Sequence, residues 1–154
     1  YLMEPDACDY YKENILPLAE VYTPNLPEAE VLLKTSIKTR EERVAAVREF
    51  ALQYKGTIFL KGGHDECCAD DLFFDGDGLT WFEAPHIANS NTHGTGCTLS
   101  AAIACGLALG LRAKDSAGRA KAYVTGAIAD GMDLGKGNGP LNHMYGMKKP
   151  QRGF

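Results

Sequence analysis

The sequence predicts an α/β domain, and three observations carry that expectation. Helix-period segments alternate with short runs of apolar and β-branched residues. Thr57-Ile58-Phe59-Leu60 is a continuous apolar run of strand length, as in a parallel strand covered on both faces. Two further strand-like runs, Asp71-Leu72-Phe73-Phe74 and Leu79-Thr80-Trp81-Phe82, flank Asp75-Gly76-Asp77-Gly78, and Asp-Gly between such runs signals a hairpin. With 154 residues, 45% of them hydrophobic, the chain suffices for one domain with a real core and is too short for two comfortable ones.

In chain order, Asp6 through Leu16 reads as a short helix ended by Pro17. Val21-Tyr22-Thr23 is a strand that stops at Pro24, and Pro27 to Leu33 is a helical turn with Glu28 near its start. Thr39-Arg40-Glu41-Glu42 is a capping box: the Thr39 hydroxyl accepts from the N–H three residues on, and Glu42 reaches back. Behind it Val44, Val47, Ala51 and Tyr54 share one face, which predicts a helix to about Tyr54. Leu99 to Leu111 is apolar nearly all round and is expected in the interior. Lys114 to Met132 mixes polar and apolar residues at helical spacing and is expected to cover a surface. Neither an internal repeat nor a low-complexity linker is visible.

Charge and cysteine usage narrow the function classes. The formal charge is −4 with both signs interspersed, which argues against nucleic acid or an acidic membrane as partner. The C-terminal Lys148, Lys149 and Arg152 form the one basic cluster and read as solvated. Five cysteines with no C-x-x-C pair argue against a disulfide framework and for a reducing, cytosolic setting. No apolar run is long enough to span a bilayer, and the opening residues lack the pattern of a signal peptide. Position 1 is Tyr, not Met, which suggests a chain that begins inside a longer protein.

The segment Asn91-Thr92-His93-Gly94-Thr95-Gly96-Cys97-Thr98 precedes a run of small and apolar residues and reads as an anion-binding loop opening a helix. The glycines let the backbone turn and approach a ligand. The first N–H groups of the helix then face that ligand, and phosphate is the obvious guest. Cys97 falls at the helix N-terminus, where a thiolate is favoured. By contrast, the cluster His64-Asp65-Glu66-Cys67-Cys68-Asp70-Asp71 is too crowded to converge on a metal from one extended stretch, and an acidic, mobile loop is the simpler account.

Four segments, Pro24-Asn25-Leu26-Pro27-Glu28-Ala29, Leu60-Lys61-Gly62-Gly63-His64, Asn91 to Ser100 and Gly135-Lys136-Gly137-Asn138-Gly139-Pro140, stand in an order and at intervals that closely resemble the hydroxymethylpyrimidine and phosphomethylpyrimidine kinases of thiamine biosynthesis. These belong to the ribokinase-like group. The resemblance covers essentially all of this chain but only the later part of the family's length. It implies a three-layer ribokinase-like α/β sheet with helices on both faces, the N-terminal portion being absent, so that residues 1–154 form the C-terminal part of a single kinase domain. A doubly wound sheet cut in that way is expected to leave an unpaired edge and bare apolar faces.

The resemblance also implies roles. Gly94, Thr95 and Gly96 would stabilise charge on the transferred phosphoryl group. Cys97 would be the base that takes the substrate hydroxyl proton; most relatives outside the pyrimidine branch carry Asp there. Asn25 and Glu28 match an Asn-x-x-Glu signature associated with magnesium, Glu28 acting on the ion through water, and Asn25, Lys61 and Gly62 are assigned to nucleotide binding. The implied cofactors are ATP and Mg2+, and the implied partner is a pyrimidine small molecule. The glycine-bearing loop Gly135, Gly137 and Gly139 is placed near the nucleotide.

Plainer roles stand beside these. The loop glycines serve structure alone in many proteins, Cys97 has a second, lesser reading as an inert, half-buried thiol and Glu28 as a carboxylate favouring a helix N-terminus, while Lys61 reads equally as a solvated lysine. At the level of function the alternatives are a pyridoxal kinase of the same fold and a non-catalytic binding module; homo-oligomerisation stays open.

Overall fold

A computed structural model describes residues 4–63, 69–89, 92–132, 134 and 136–147. At its centre is a four-stranded sheet of β1 (Val21–Tyr22), β2 (Thr57–Leu60), β3 (Asp71–Phe74) and β4 (Leu79–Phe82), adjacent in that order. β1 runs parallel to β2, while β2–β3 and β3–β4 are antiparallel. The expected hairpin is thus present. Its turn is held by the Asp75 carboxylate, whose Oδ1 accepts from the N–H groups of Asp77 (3.2 Å) and Gly78 (3.3 Å).

Strand alternation divides the core into two layers. Ile58, Leu60 and Leu72 pack on one face with Tyr22, Val47 and Phe50, while Phe59 and Phe73 pack on the other with Leu99, Ile103 and Val124. β2 is therefore buried on both faces, as its apolar run predicts, although only one of its neighbours is parallel.

The first face is covered by α3 (Arg40–Tyr54), preceded by α1 (Pro5–Tyr10) and α2 (Leu26–Leu33). α3 begins with the expected capping box, Thr39 and Glu42 each bonding to the other's backbone. Its buried seam runs through Arg43, Ala46, Val47 and Phe50, a face rotated from the Val44, Val47, Ala51, Tyr54 stripe read from the sequence. The aromatic cluster decides this, because Phe50 meets Tyr22 edge-on at 5.2 Å and Tyr54 at 4.7 Å. The Tyr22 hydroxyl lies 2.7 Å from Leu16 O and 2.8 Å from Tyr54 O, tying the N-terminal segment to the end of α3.

That segment departs from the single helix expected. After Tyr10 it widens into a π-turn over Tyr11–Ile15 and tightens into a 3-10 turn over Leu16–Leu18, so Pro17 sits inside the last turn and does not end the helix. A proline early in a 3-10 turn gives up an N–H that has no partner to lose.

The second face carries α4 (Thr95–Ala108) and α5 (Ala113–Asp130), which pack side by side where Gly106 meets Ser116. α5 matches expectation, burying Ala117, Ala120, Val124 and Ala127 on one side. α4 does not: Leu99, Ile103 and Gly106 are buried, but Ala101, Ala104, Cys105 and Ala108 are exposed, and Leu109 beyond its end is 80% exposed. A helix apolar all round needs neighbours on all sides, and among the described residues α4 has the sheet and α5 only.

Glu42 shows how the α3 cap responds to pH. Oε2 accepts from Lys38 N (2.6 Å) and Thr39 N (2.9 Å), and these bonds hold the carboxyl below the usual range. A folded-state pKa below the unfolded one contributes stability that is present above the unfolded value and is lost as pH falls through the folded value. Urea midpoints measured at pH 7 and pH 3 should therefore fall further for the native chain than for Glu42→Gln.

Candidate functional site

The parallel pairing of β1 with β2 continues past both strands. Lys61 N–H donates to Pro24 O at 2.9 Å and Asn25 pairs with Lys61, so these two residues emerge side by side at the same end of the sheet. Pro24 and Pro27 stop the strand and start α2, for which Asn25 is the N-cap. Asn25 Oδ1 accepts from Glu28 N, and Glu28 Oε2 accepts from Asn25 N, both at 2.8 Å. The Asn-x-x-Glu signature is thus also a reciprocal cap, which the sequence reading did not foresee. Glu28 Oε2 lies 3.9 Å from Lys61 Nζ, and Oε1 has no partner among the described residues. A half-exposed carboxylate with one free oxygen at the edge of a cleft fits a magnesium ion held through water.

The loop ahead of α4 folds as its sequence dictates. Gly94 is the N-cap of α4 with φ +82°, a conformation costly for any residue with a Cβ. Around it, Thr95 Oγ1 donates to Thr92 O (2.6 Å) and Thr98 Oγ1 to Gly94 O (2.8 Å). A bridge between His93 and Pro140 pins the entry to the loop, and Thr23 Oγ1 lies 2.8 Å from Ser100 Oγ, joining β1 to α4. The N–H groups of Gly96 and Cys97 have no acceptor among the described residues, as expected in a first helical turn. A Cβ built on Gly96 would lie 3.3 Å from Lys61 Nζ, so the ammonium stands directly over the loop.

Asn25, Glu28, Lys61, Gly94, Thr95, Gly96 and Cys97 all line one cleft of about 670 Å³. Cys97 is exposed, the third residue of α4, and stands where this cleft meets an apolar groove of about 660 Å³ between α4 and α5. Of the residues given a role at the site or placed near the nucleotide, Gly137 and Gly139 stay off the cleft wall, and so does Gly62. Its N–H is committed to Asp71 Oδ1 at 2.8 Å, and a Cβ there would lie 1.9 Å from Asp70 O, so its role is close backbone packing. His64 to Cys68, Asn91, Gly135 and the basic cluster Lys148, Lys149, Arg152 lie outside the described residues.

The rest of the cleft was not read from the sequence. One wall is α5, through Lys121, Val124, Thr125 and Ile128; the segment Pro85–Asn89 adjoins it, held by a bond from Asn89 Nδ2 to Ile128 O at 2.6 Å. The floor holds an ion pair, Lys121 Nζ to Asp71 Oδ2 at 2.8 Å, with side chains only 14% and 6% exposed. Burial pushes the Asp71 carboxyl above its ordinary range, opposed by Lys121, by the Gly62 N–H and by Lys61. Asp70 and Asp71 therefore do not belong to an acidic mobile loop. Asp70 Oδ1 accepts from Ala84 N at 3.1 Å, and its Oδ2 is 3.5 Å from Arg40, whose guanidinium lies 4.1 Å above the Trp81 ring. A carboxylate opening a buried strand is a signal the sequence did offer, since such a group needs a partner.

A family model described as phosphomethylpyrimidine kinase matches residues 1–142. A hydroxymethylpyrimidine/phosphomethylpyrimidine kinase of Rhizobium meliloti is 45% identical over 149 residues, covering 94% of this chain and 56% of the relative. A thiamine biosynthesis bifunctional protein of Geobacter sulfurreducens is 41% identical, covering 93% of this chain and 29% of that protein. Among solved structures, Bacillus subtilis pyridoxal kinase in an ADP complex superposes with a TM-score of 0.86 at 32% identity, covering 94% of this chain and 57% of the other. Staphylococcus aureus pyridoxal kinase in complex with AMP-PCP and pyridoxal gives 0.88 at 29% identity, with 96% and 56% covered. The layers described above are those of the ribokinase-like fold, and the chain spans about half the length of most of the curated relatives it matches.

Proposed function

This chain belongs to the phosphomethylpyrimidine kinase family, and we propose that its cleft binds ATP with Mg2+ and serves the phosphorylation of a hydroxymethylpyrimidine and of its monophosphate in thiamine biosynthesis. One observation carries the reading. An exposed thiol, two N–H groups without an acceptor among the described residues and a lysine ammonium meet at the start of one helix, at the mouth of a cleft large enough for a nucleotide. The relatives' names and the nucleotide complexes of the structural neighbours support the same assignment.

Phosphoryl transfer needs position and charge stabilisation more than covalent help. The Gly96 and Cys97 amides, with the macrodipole of α4 behind them, would hold the oxygens of the migrating group, and Lys61 would neutralise charge from the other side. Cys97 Sγ would accept the proton of the acceptor hydroxyl. When bound, magnesium would draw charge from the phosphates, with the free Glu28 oxygen holding one of its waters. The open face of α4 supports a further proposal, that residues 1–154 are the later part of one kinase domain. Cytoplasmic placement is proposed on the cysteine usage; no described helix is long and apolar enough to cross a membrane.

The test supplies the intact protein with ATP and Mg2+ and, separately, hydroxymethylpyrimidine, its monophosphate or pyridoxal, following ADP release. Release with the two pyrimidines is expected. Turnover with pyridoxal alone would move the assignment to the pyridoxal branch, and failure to bind any nucleotide in calorimetry would remove it altogether.

A further inference from the structure

The Asp71–Lys121 pair has no part in the chemistry outlined above, yet among the described residues it is the most deeply buried ion pair lining the cleft. What it touches is informative. The Lys61 Cα lies between two peptide N–H groups, its own and that of Gly62. The first donates to Pro24 O at 2.9 Å and the second to Asp71 Oδ1 at 2.8 Å. With both flanking peptides pinned, the Cα–Cβ direction from which the Lys61 side chain sets out is fixed, and its ammonium stands over Gly96. Pro24, just beyond β1, supplies one of these anchors and the Asp71 carboxylate the other.

Asp71 is itself held by α5. Lys121 Nζ binds Asp71 Oδ2 and also donates to Ala69 O, so a single ammonium fixes the carboxylate and the backbone just before β3. A backbone carbonyl in place of the Asp71 side chain would not transmit a position from α5, because it would move with its own strand.

We infer that Asp71, through its bond to the Gly62 N–H, is a positioning residue that aims Lys61 at the phosphates of a bound nucleotide. The inference rests on the nucleotide reading of the cleft. It predicts a loss confined to phosphate recognition, since the adenosine end of a nucleotide does not depend on where Lys61 points.

Two charge-free double variants isolate the acceptor for Gly62. Asp71→Asn/Lys121→Met keeps a side-chain oxygen at the position of Oδ1, whereas Asp71→Leu/Lys121→Met removes it at similar volume. Calorimetric dissociation constants for ATP and for adenosine are compared on the intact protein, with circular dichroism confirming the fold. The Leu/Met variant should bind ATP about tenfold more weakly than the Asn/Met variant, with equal adenosine affinity. Equal ATP affinity in the two, or parallel loss of ATP and adenosine, overturns the inference while leaving the nucleotide reading intact. A native protein that binds no ATP takes both down.

If the Leu/Met variant does not fold, Asp71→Asn alone decides. There the Lys121 ammonium and the Gly62 N–H compete for one carbonyl oxygen, so ATP affinity should fall several-fold and return when Lys121→Met is added. No fall, or no return, overturns the inference.

Discussion

Cys97→Ser is expected to lower the rate of ADP release by a factor of about 10² to 10⁴, the usual contribution of a positioned general base, with the thermal melt unchanged. The fold is indifferent because Cys97 is exposed and its side chain makes no hydrogen bond among the described residues. The chemistry is sensitive because a hydroxyl ionises far less readily than a thiol and so cannot take the acceptor's proton. Cys97→Asp places a carboxylate at the same helix terminus and should recover part of the lost rate. Unchanged turnover in Cys97→Ser would remove the sulfur from the mechanism, leaving the loop amides and Lys61 to act by position and charge.

The largest stability effect expected is at Gly62. Its Cβ would fall 1.9 Å from Asp70 O, a backbone atom that no side-chain rotation can move aside. Gly62→Ala must therefore separate the end of β2 from the segment before β3 and pull the Gly62 N–H off Asp71, leaving a buried carboxylate short of a donor. Overpacking together with that lost bond should cost about 3 kcal/mol or more in urea unfolding. Gly63→Ala, where a Cβ meets nothing within 4 Å, is the neighbouring control and should stay within about 0.5 kcal/mol of the native chain. A Gly62→Ala variant as stable as this control would show that the two segments can part at little cost, and would weaken the anchoring attributed to Asp71.

Much of the site was legible in the residues. The Gly94-Thr95-Gly96-Cys97 run could be read because a tight turn, a helix start and an ionisable side chain are local properties, set by neighbours in sequence. The Thr39 cap and the hairpin at Asp75-Gly76 were legible for the same reason. Asn25 and Glu28 were picked out, but their reciprocal bonding was not, although the same spacing logic that identified Thr39 and Glu42 applies with Asn as cap. Gly62 was assigned to nucleotide binding from its place in a motif, and its close approach to Asp70 comes from a segment several residues later that no local pattern announces.

Sequence alone determined the Thr39 cap, the hairpin, and the turn and helix start at Gly94, all of which follow from backbone sterics and hydrogen bonding over a few residues. Tertiary structure decided which face of α3 is buried, that α4 keeps an open side, and that Lys121 and Asp71 meet on the floor of the cleft. Those outcomes depend on where separate elements stop against one another. Burial and charge pairing are properties of the space between elements, and that space exists only once the sheet has brought its helices together.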